Sequence, residues 1–297
     1  MDDRPLSNSF QGPIKIYEMI ARARPLKEIL ATLVLFIESQ TPEMICTILL
    51  LDDDGKRMWT GAAPTFPKGL SAAIDGSSIG PSAGSCGTAA YRAENVFVED
   101  IEADPLWVDY KNVFLLHGLR ACWSSPILDE QHHVLGTFAM YFRKPSLPGD
   151  HDLELINLAT RIAADCIVRK RSDRSLIKSQ RQLSLIFENV QEGIFLIEVL
   201  PDFHFRFAFV NQAFLSTNQL RREQVIGNDV EKVLAPSSHQ LVLSKYKEAI
   251  QEKHTVQWEQ SIVHPDGRIL VLVTIRPTFD EHGACTHLVG NLHKIQK

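Results

Sequence analysis

From Pro148 onward the sequence reads as one long helix, and the seam along that helix limits the fold more than any other feature. Steps of four and three residues pick out Leu155, Ala159, Ile162, Cys166, Arg169, Asp173, Leu176, Gln180, Leu183, Phe187 and Val190. Eight of the eleven are apolar, and the polar exceptions Arg169, Asp173 and Gln180 weaken the middle. A heptad-like seam of this length suggests a parallel coiled coil or a dimerising helix. The alternative is a single helix packed on the two domains at its own ends. A chain of 297 residues is long enough for two ordinary domains.

The segments on either side support that division. Ile14 to Glu38 has helical periodicity at Ile16, Ile20, Ile29, Leu30, Leu33, Val34 and Ile37, interrupted at Pro25. The proline suits the first turn of a second helix, so two helices are predicted. Met44 to Leu51, the turn Asp52-Asp53-Asp54-Gly55 and Lys56 to Ala63 read as a hairpin. Ala62 to Ala83 holds at most a short helix over Lys68 to Ile74. Gly84 to Arg92 is a glycine-rich turn feeding a helix, with Ser85 the expected N-cap. Asn95 to Ile101 reads as a strand, Asp104 to Gly118 as an aromatic-rich, partly helical segment. Arg120 to Leu128 and His133 to Phe142 are strands joined by Asp129-Glu130-Gln131.

After Gly193 the alternation resumes. Ile194 to Val199 and Phe205 to Val210 are predicted strands around Pro201-Asp202. Short helices follow over Asn211 to Asn218 and Arg222 to Gly227. A longer helix is predicted over Ser237 to Lys253, capped by Ser237 or Ser238. Thr255 to His264, Ile269 to Asp280 and His287 to Ile295 are the last strands, separated by turns at His264-Pro265-Asp266-Gly267 and Asp280-Glu281-His282-Gly283. The order gives a five-stranded antiparallel sheet with helices on one face.

A hydrophobic fraction of 44% and a charged fraction of 23% fit a globular chain, and a net charge of -5 supplies no basic field for nucleic acid. Cys46, Cys86, Cys122, Cys166 and Cys285 show no C-x-x-C spacing, against a zinc site or a disulfide framework and in keeping with a reducing compartment. The opening MDDRPLSNSF lacks the apolar core of a signal peptide, and no apolar run approaches the roughly 18 residues needed to span a bilayer. A cytoplasmic location without membrane contact is expected. Phosphate-loop, dinucleotide, zincin, nucleophile-elbow, cyclase and phosphodiesterase signatures are all missing, so neither a catalytic residue nor a metal ligand is assigned.

Residues 15 to 168 resemble the GAF family, through GPSAGSCGTAAYRAENVFVEDI (80 to 101), the segment DPLW to GLRACWSSPI (104 to 127) and VLGTFAMYF (134 to 142). Residues 181 to 297 resemble a PAS domain, through ENVQEGIFLIE, FVNQAF, REQVIGNDVEKVL, HPDGR and VGNLHKI. The resemblance implies an α+β protein of two domains, each a central antiparallel sheet with helices on one face enclosing a small cavity. The expected boundaries are 1–168 for the GAF-like part with its N-terminal helices, 150–190 for the connecting helix and 185–297 for the PAS-like part. It implies the N-terminal sensory region of a bacterial signalling protein of histidine kinase, diguanylate cyclase or phosphodiesterase type, whose output domain lies outside this chain.

Within that frame the expected ligand contacts in the first half are Cys86, Trp107, Tyr110, Phe114, Arg120 and Trp123, with Arg120 free to pair an acidic group. In the second half they are Phe209, Phe214 and Trp258. In both halves the same aromatics could instead fill a core. Cys86 near a helix start could carry a reactive thiolate. His239 is the one residue placed to ligate haem; no other cofactor is expected, and covalent bilin and flavin photochemistry lack their cysteine motifs. The partners expected are a second copy of the chain, through the connecting helix, and a small molecule of unknown identity. A scaffold that binds nothing, or a haem or redox sensor, are the competing readings.

Overall fold

A computed structural model describes residues 7–41, 43–264 and 267–295. The chain divides between Ser175 and Leu176 into two units. Each is built on one antiparallel sheet with flanking helices, which is the α+β architecture expected. Residues 265 and 266, the centre of the predicted turn His264-Pro265-Asp266-Gly267, and the opening residues MDDRPL lie outside the described residues.

In unit 1 the elements are α1 (Ser7–Ala21), α2 (Leu26–Glu38), β1 (Ile45–Leu51), β2 (Arg57–Ala62), α3 (Lys68–Ile74), β3 (Ser77–Ser78), α4 (Gly84–Arg92), β4 (Val96–Val98), a 3-10 turn at Pro105–Trp107, α5 (Lys111–Leu116), β5 (Ala121–Leu128) and β6 (Val134–Phe142). The first part of α6 (Asp150–Asn189) completes it. The strand order is β3-β2-β1-β6-β5-β4. Helices cover both faces here, not one. Ile48, Trp123, Ile127, Phe138 and Met140 pack toward α2 and α6, while Leu49, Cys122, Ala139 and Tyr141 pack toward α3, α4 and α5. Strands buried on both faces read as unbroken apolar runs, which is why β5 and β6 lack a polar alternation. Gly136 on β6 sits where a Cβ would run into the Leu49 carbonyl oxygen, so the tight β1–β6 approach depends on it.

Unit 2 contains β7 (Gly193–Leu200), β8 (His204–Val210), α7 (Gln212–Asn218), α8 (Arg222–Val225), α9 (Val230–Val233), α10 (Pro236–Glu252), β9 (Val256–His264), β10 (Gly267–Phe279) and β11 (Cys285–Lys294), in sheet order β8-β7-β11-β10-β9. Phe195 and Ile197 of β7 and Val271, Val273 and Ile275 of β10 alternate into the core, as period-two strands with one packed face do. Asn211 ties this unit together. Its Oδ1 accepts from the amides of Ile194 (2.8 Å) and Phe214 (2.9 Å). Its Nδ2 donates to the carbonyls of Phe187 (3.0 Å) and Glu192 (2.9 Å). One buried carboxamide thus caps α7 and fixes both the end of α6 and the start of β7.

Several local expectations are corrected. Ser85 is the second residue of α4, and Ala83 holds the cap position; the serine hydroxyl is drawn inward by stronger partners described below. Ala235, not Ser237 or Ser238, precedes α10, because Pro236 starts the helix with its fixed φ. Pro25 likewise stands at the cap of α2 and not inside its first turn. The strand expected over Asn95 to Ile101 shrinks to Val96–Val98, since β4 pairs with β5 at three positions only. The helix α9 was not anticipated; four residues are too few to show a period. The long seam is split between two duties. Leu155, Ala159, Ile162 and Cys166 are buried in the core of unit 1, whereas Leu176 and Leu183 remain exposed. Among the described residues no helix is long and apolar enough to cross a membrane.

Candidate functional site

On the face of the first sheet toward α4, Cys122, Tyr141 and Ile45 stand side by side on β5, β6 and β1. The next row is Ser124, Ala139 and Thr47. The chain places α4 across these rows. Ser85 donates from Oγ to the Cys122 carbonyl (3.1 Å) and accepts from Trp107 Nε1 (3.1 Å). Those two bonds pin α4 and the 3-10 turn to the sheet. They also explain why the hydroxyl does not serve as a cap.

Cys86, one residue on, points its thiol at the Tyr141 hydroxyl, 3.5 Å away. Trp107 meets Phe114 edge-on at 4.8 Å, and Phe114 stacks on Tyr141 at 5.9 Å. Cys86, Trp107, Tyr110, Phe114 and Tyr141 therefore converge on one cavity, with Leu49 and Met58 among its walls. The free space left is about 20 Å³, room for a single water. Trp107 and Phe114 are each 2% exposed, so these rings now fill the space they would otherwise line.

The electrostatics of this face are unusual for a core. The Cys122 thiol, and after it the hydroxyls of Tyr141, Ser124 and Thr137, point hydrogen-bonding capacity at Cys86 and hold its thiol down to about 7 from an ordinary 9.0, against the opposing effect of burial. Burial pushes Cys122 and Tyr141 up, each further raised by Cys86. The hydroxyls of Thr47, Ser124 and Thr137 have no hydrogen-bond partner of normal geometry among the described residues. Buried hydroxyls left unpaired are uncommon in a core.

Arg120 and Trp123 do not join this cavity. Arg120 forks onto Asp100 (3.1 and 2.7 Å) and pairs with Glu102 (2.9 Å), so its charge is already engaged. Trp123 lies on the opposite face, against Phe142 at 4.3 Å, and donates from Nε1 to the Ser146 carbonyl (2.8 Å).

In unit 2, Phe214 and Trp258 line a second cavity with Phe195, Phe207, Val242 and Tyr246, leaving about 30 Å³. Its polar elements are Asn218, Gln260, which accepts from Trp258 Nε1 (3.1 Å), and Tyr246, whose hydroxyl is pushed up by burial. Phe209 is elsewhere, facing Phe187 of α6 at 5.7 Å. His239 places its Nε2 2.8 Å from the Leu234 carbonyl and is not among the lining residues. A macrocycle does not fit a space of one water, and His239 neither lines it nor has a free Nε2, so these residues do not suit a haem.

Sequence reasoning missed Tyr141 and Asn211. The first was findable, since alternation along β6 puts Tyr141, Ala139 and Thr137 on the face under α4. The second carried only a helix-start signal, because its partners lie in four different segments.

Residues 23–168 match the family model of the GAF domain, and residues 187–297 that of the PAS fold. The chain is 28% identical over 272 residues to the methyl sulfide methyltransferase-associated sensor of Methanosarcina acetivorans, covering 92% of this chain and 27% of that protein. It is 22% identical over 215 residues to a signal-transduction and transcriptional-control protein of Clostridium beijerinckii, covering 72% and 31% respectively. The chain thus spans between a quarter and a third of the length of these curated relatives. Among solved structures, the GAF domain of an Acinetobacter phosphoenolpyruvate-protein phosphotransferase superposes with a TM-score of 0.44 at 15% identity, over 56% of this chain and 97% of that one.

Proposed function

We propose, from the premise that this chain is a GAF domain followed by a PAS domain, that it senses without catalysing and relays its signal through a homodimeric α6. That pairing makes the chain a sensory module of signal transduction. Residues 1–168 serve as the input part, 150–190 as the connection and 185–297 as the second domain. The output activity, of kinase or cyclic-di-nucleotide type, belongs to a larger protein, in keeping with the greater length of the relatives. Five unpaired cysteines support work in the reducing cytoplasm.

One observation carries the dimer. Leu176, Ile177, Leu183 and Ile186 on the later turns of α6 are 60%, 64%, 53% and 56% exposed. The earlier turns of the same helix bury Leu155, Ala159, Ile162 and Cys166 inside their own unit. Leu176 and Leu183, two turns apart on one stripe and bare to water, are what a parallel helical dimer covers. The polar Arg169, Asp173 and Gln180 keep that seam weak enough to shift.

Ligand sensing by the α4 cavity is the accompanying reading, favoured by the polar groups Ser85, Cys86 and Tyr141 among its lining residues. A bound molecule would displace Trp107 or Phe114.

Sedimentation velocity across a concentration series tests the relay. Covering the exposed half of Leu183 is worth about 1 kcal/mol per protomer. Leu183→Asp should therefore weaken the dimer at least about 30-fold, and further through two facing carboxylates. A chain that stays monomeric at high concentration, or a variant that associates as well as the parent, sinks the proposal.

A further inference from the structure

Beside α6 and the outer strands of the first sheet, unit 1 has an open hollow of about 410 Å³. It is separate from the cavity under α4 and much larger. Three segments build it with different chemistry. From β5 come Ser125, Pro126 and Leu128. From α6 come Asn157, Thr160 and Arg161. The connection after α4 adds Glu94 and Asn95.

Two features point to an occupant. Ser125 is 3% exposed, yet its hydroxyl has no hydrogen-bond partner among the described residues. A buried hydroxyl left unpaired costs stability and calls for an explanation. Arg161 and Glu94 are both exposed, and neither is in an ion pair among the described residues. They come from different segments of the lining, one cation and one carboxylate, and Pro126 and Leu128 add apolar surface.

We propose that this hollow binds a small zwitterion, a free α-amino acid. Its carboxylate would meet Arg161, with Ser125 and Asn157 donating to it, and its ammonium would meet Glu94. Its side chain would lie along Pro126 and Leu128. One charge of each sign is what selects a zwitterion. A dicarboxylate would set a second anion against Glu94, and a simple amine would leave Arg161 without an anion. Because Asn157, Thr160 and Arg161 belong to α6, the ligand would touch that helix directly, in the turns whose inner face buries Ile156, Ala159 and Ile162.

The test is isothermal titration of the full chain with the standard amino acids, with glutarate as the dicarboxylate and butylamine as the amine. At least one amino acid should bind with a submillimolar Kd and raise Tm, while glutarate and butylamine do neither. Arg161→Gln and Glu94→Gln should each weaken binding about tenfold or more, as expected for lost charge-assisted bonds. Ser125→Ala should also weaken binding, yet leave the Tm of the free protein unchanged or higher, because its hydroxyl makes no bond there; a merely structural serine would lower it. The proposal is overturned if no amino acid binds, if glutarate binds as well, or if binding survives all three substitutions. It also falls if Arg161→Gln dissolves a dimer of a protein that binds no amino acid, since the hollow is then an interface between copies.

Discussion

Replacing Asn211 probes the joint between α6 and the second sheet. Its carboxamide makes four bonds of 3.0 Å or shorter to backbone groups of Phe187, Glu192, Ile194 and Phe214, and the residue is fully buried. At about 1 kcal/mol per bond, Asn211→Ala should cost unit 2 about 4 kcal/mol, and more if the stranded groups find no water. Asn211→Asp separates the two halves of the clasp. It keeps an acceptor for the Ile194 and Phe214 amides but turns a second oxygen toward the carbonyls of Phe187 and Glu192. Those carbonyls favour the protonated acid, so the folded pKa of the new carboxyl lies above its unfolded value. Stability of this variant should then recover as pH falls through that raised pKa and be worst above it. Native-state hydrogen exchange of the β7, β10 and β11 amides at pH 5 and pH 8 reads both effects, with unit 1 amides as the internal control. A loss under about 1 kcal/mol for Asn211→Ala, or an Asp variant more stable at the higher pH, would refute the clasp.

Two further outcomes follow from the first unit. The Cys86 thiol titrates low in the folded chain, near 7 against an ordinary 9.0, so its contribution is fully present above pH 9 and lost as pH falls through 7. The stability difference between the parent and Cys86→Ala, measured by urea unfolding, should therefore widen from pH 7 to pH 9; a flat difference means the thiol stays neutral. Trp107→Phe removes the Nε1–H that reaches Ser85 and leaves a smaller ring, so it should cost roughly 2 kcal/mol in the same assay; a neutral effect would mean that the ring is not locked in place.

What the sequence made legible was whatever has a period or a turn residue. The hairpin of β1 and β2 and the short helix Lys68–Ile74 were placed from alternation, acidic turn and composition alone. The five strands of unit 2 were found the same way. The site was read less well, for a physical reason. Trp107, Tyr110 and Phe114 lie close in sequence and line one cavity. Trp123 follows Cys122 by one residue, and in a strand that single step moves a side chain to the other face. A doubly buried strand has no polar alternation to tell which face is which. In the sequence Arg120 reads as free because Asp100 lies twenty residues earlier, and only the fold brings them together. The heptad seam was real as a pattern, but periodicity says which residues share a stripe and not what the stripe rests on.

The two interior cavities hold about one water each, and this has a kinetic consequence. Nothing larger than water can dock into either one and leave the protein as it was, because the rings occupying the space must first swing away. Rearrangement of the host must then precede capture of the guest, as a separate step with its own barrier. Uptake should therefore level off at a ceiling rate as guest concentration rises, set by how often Trp107 or Phe214 yields. A domain so filled cannot be occupied silently.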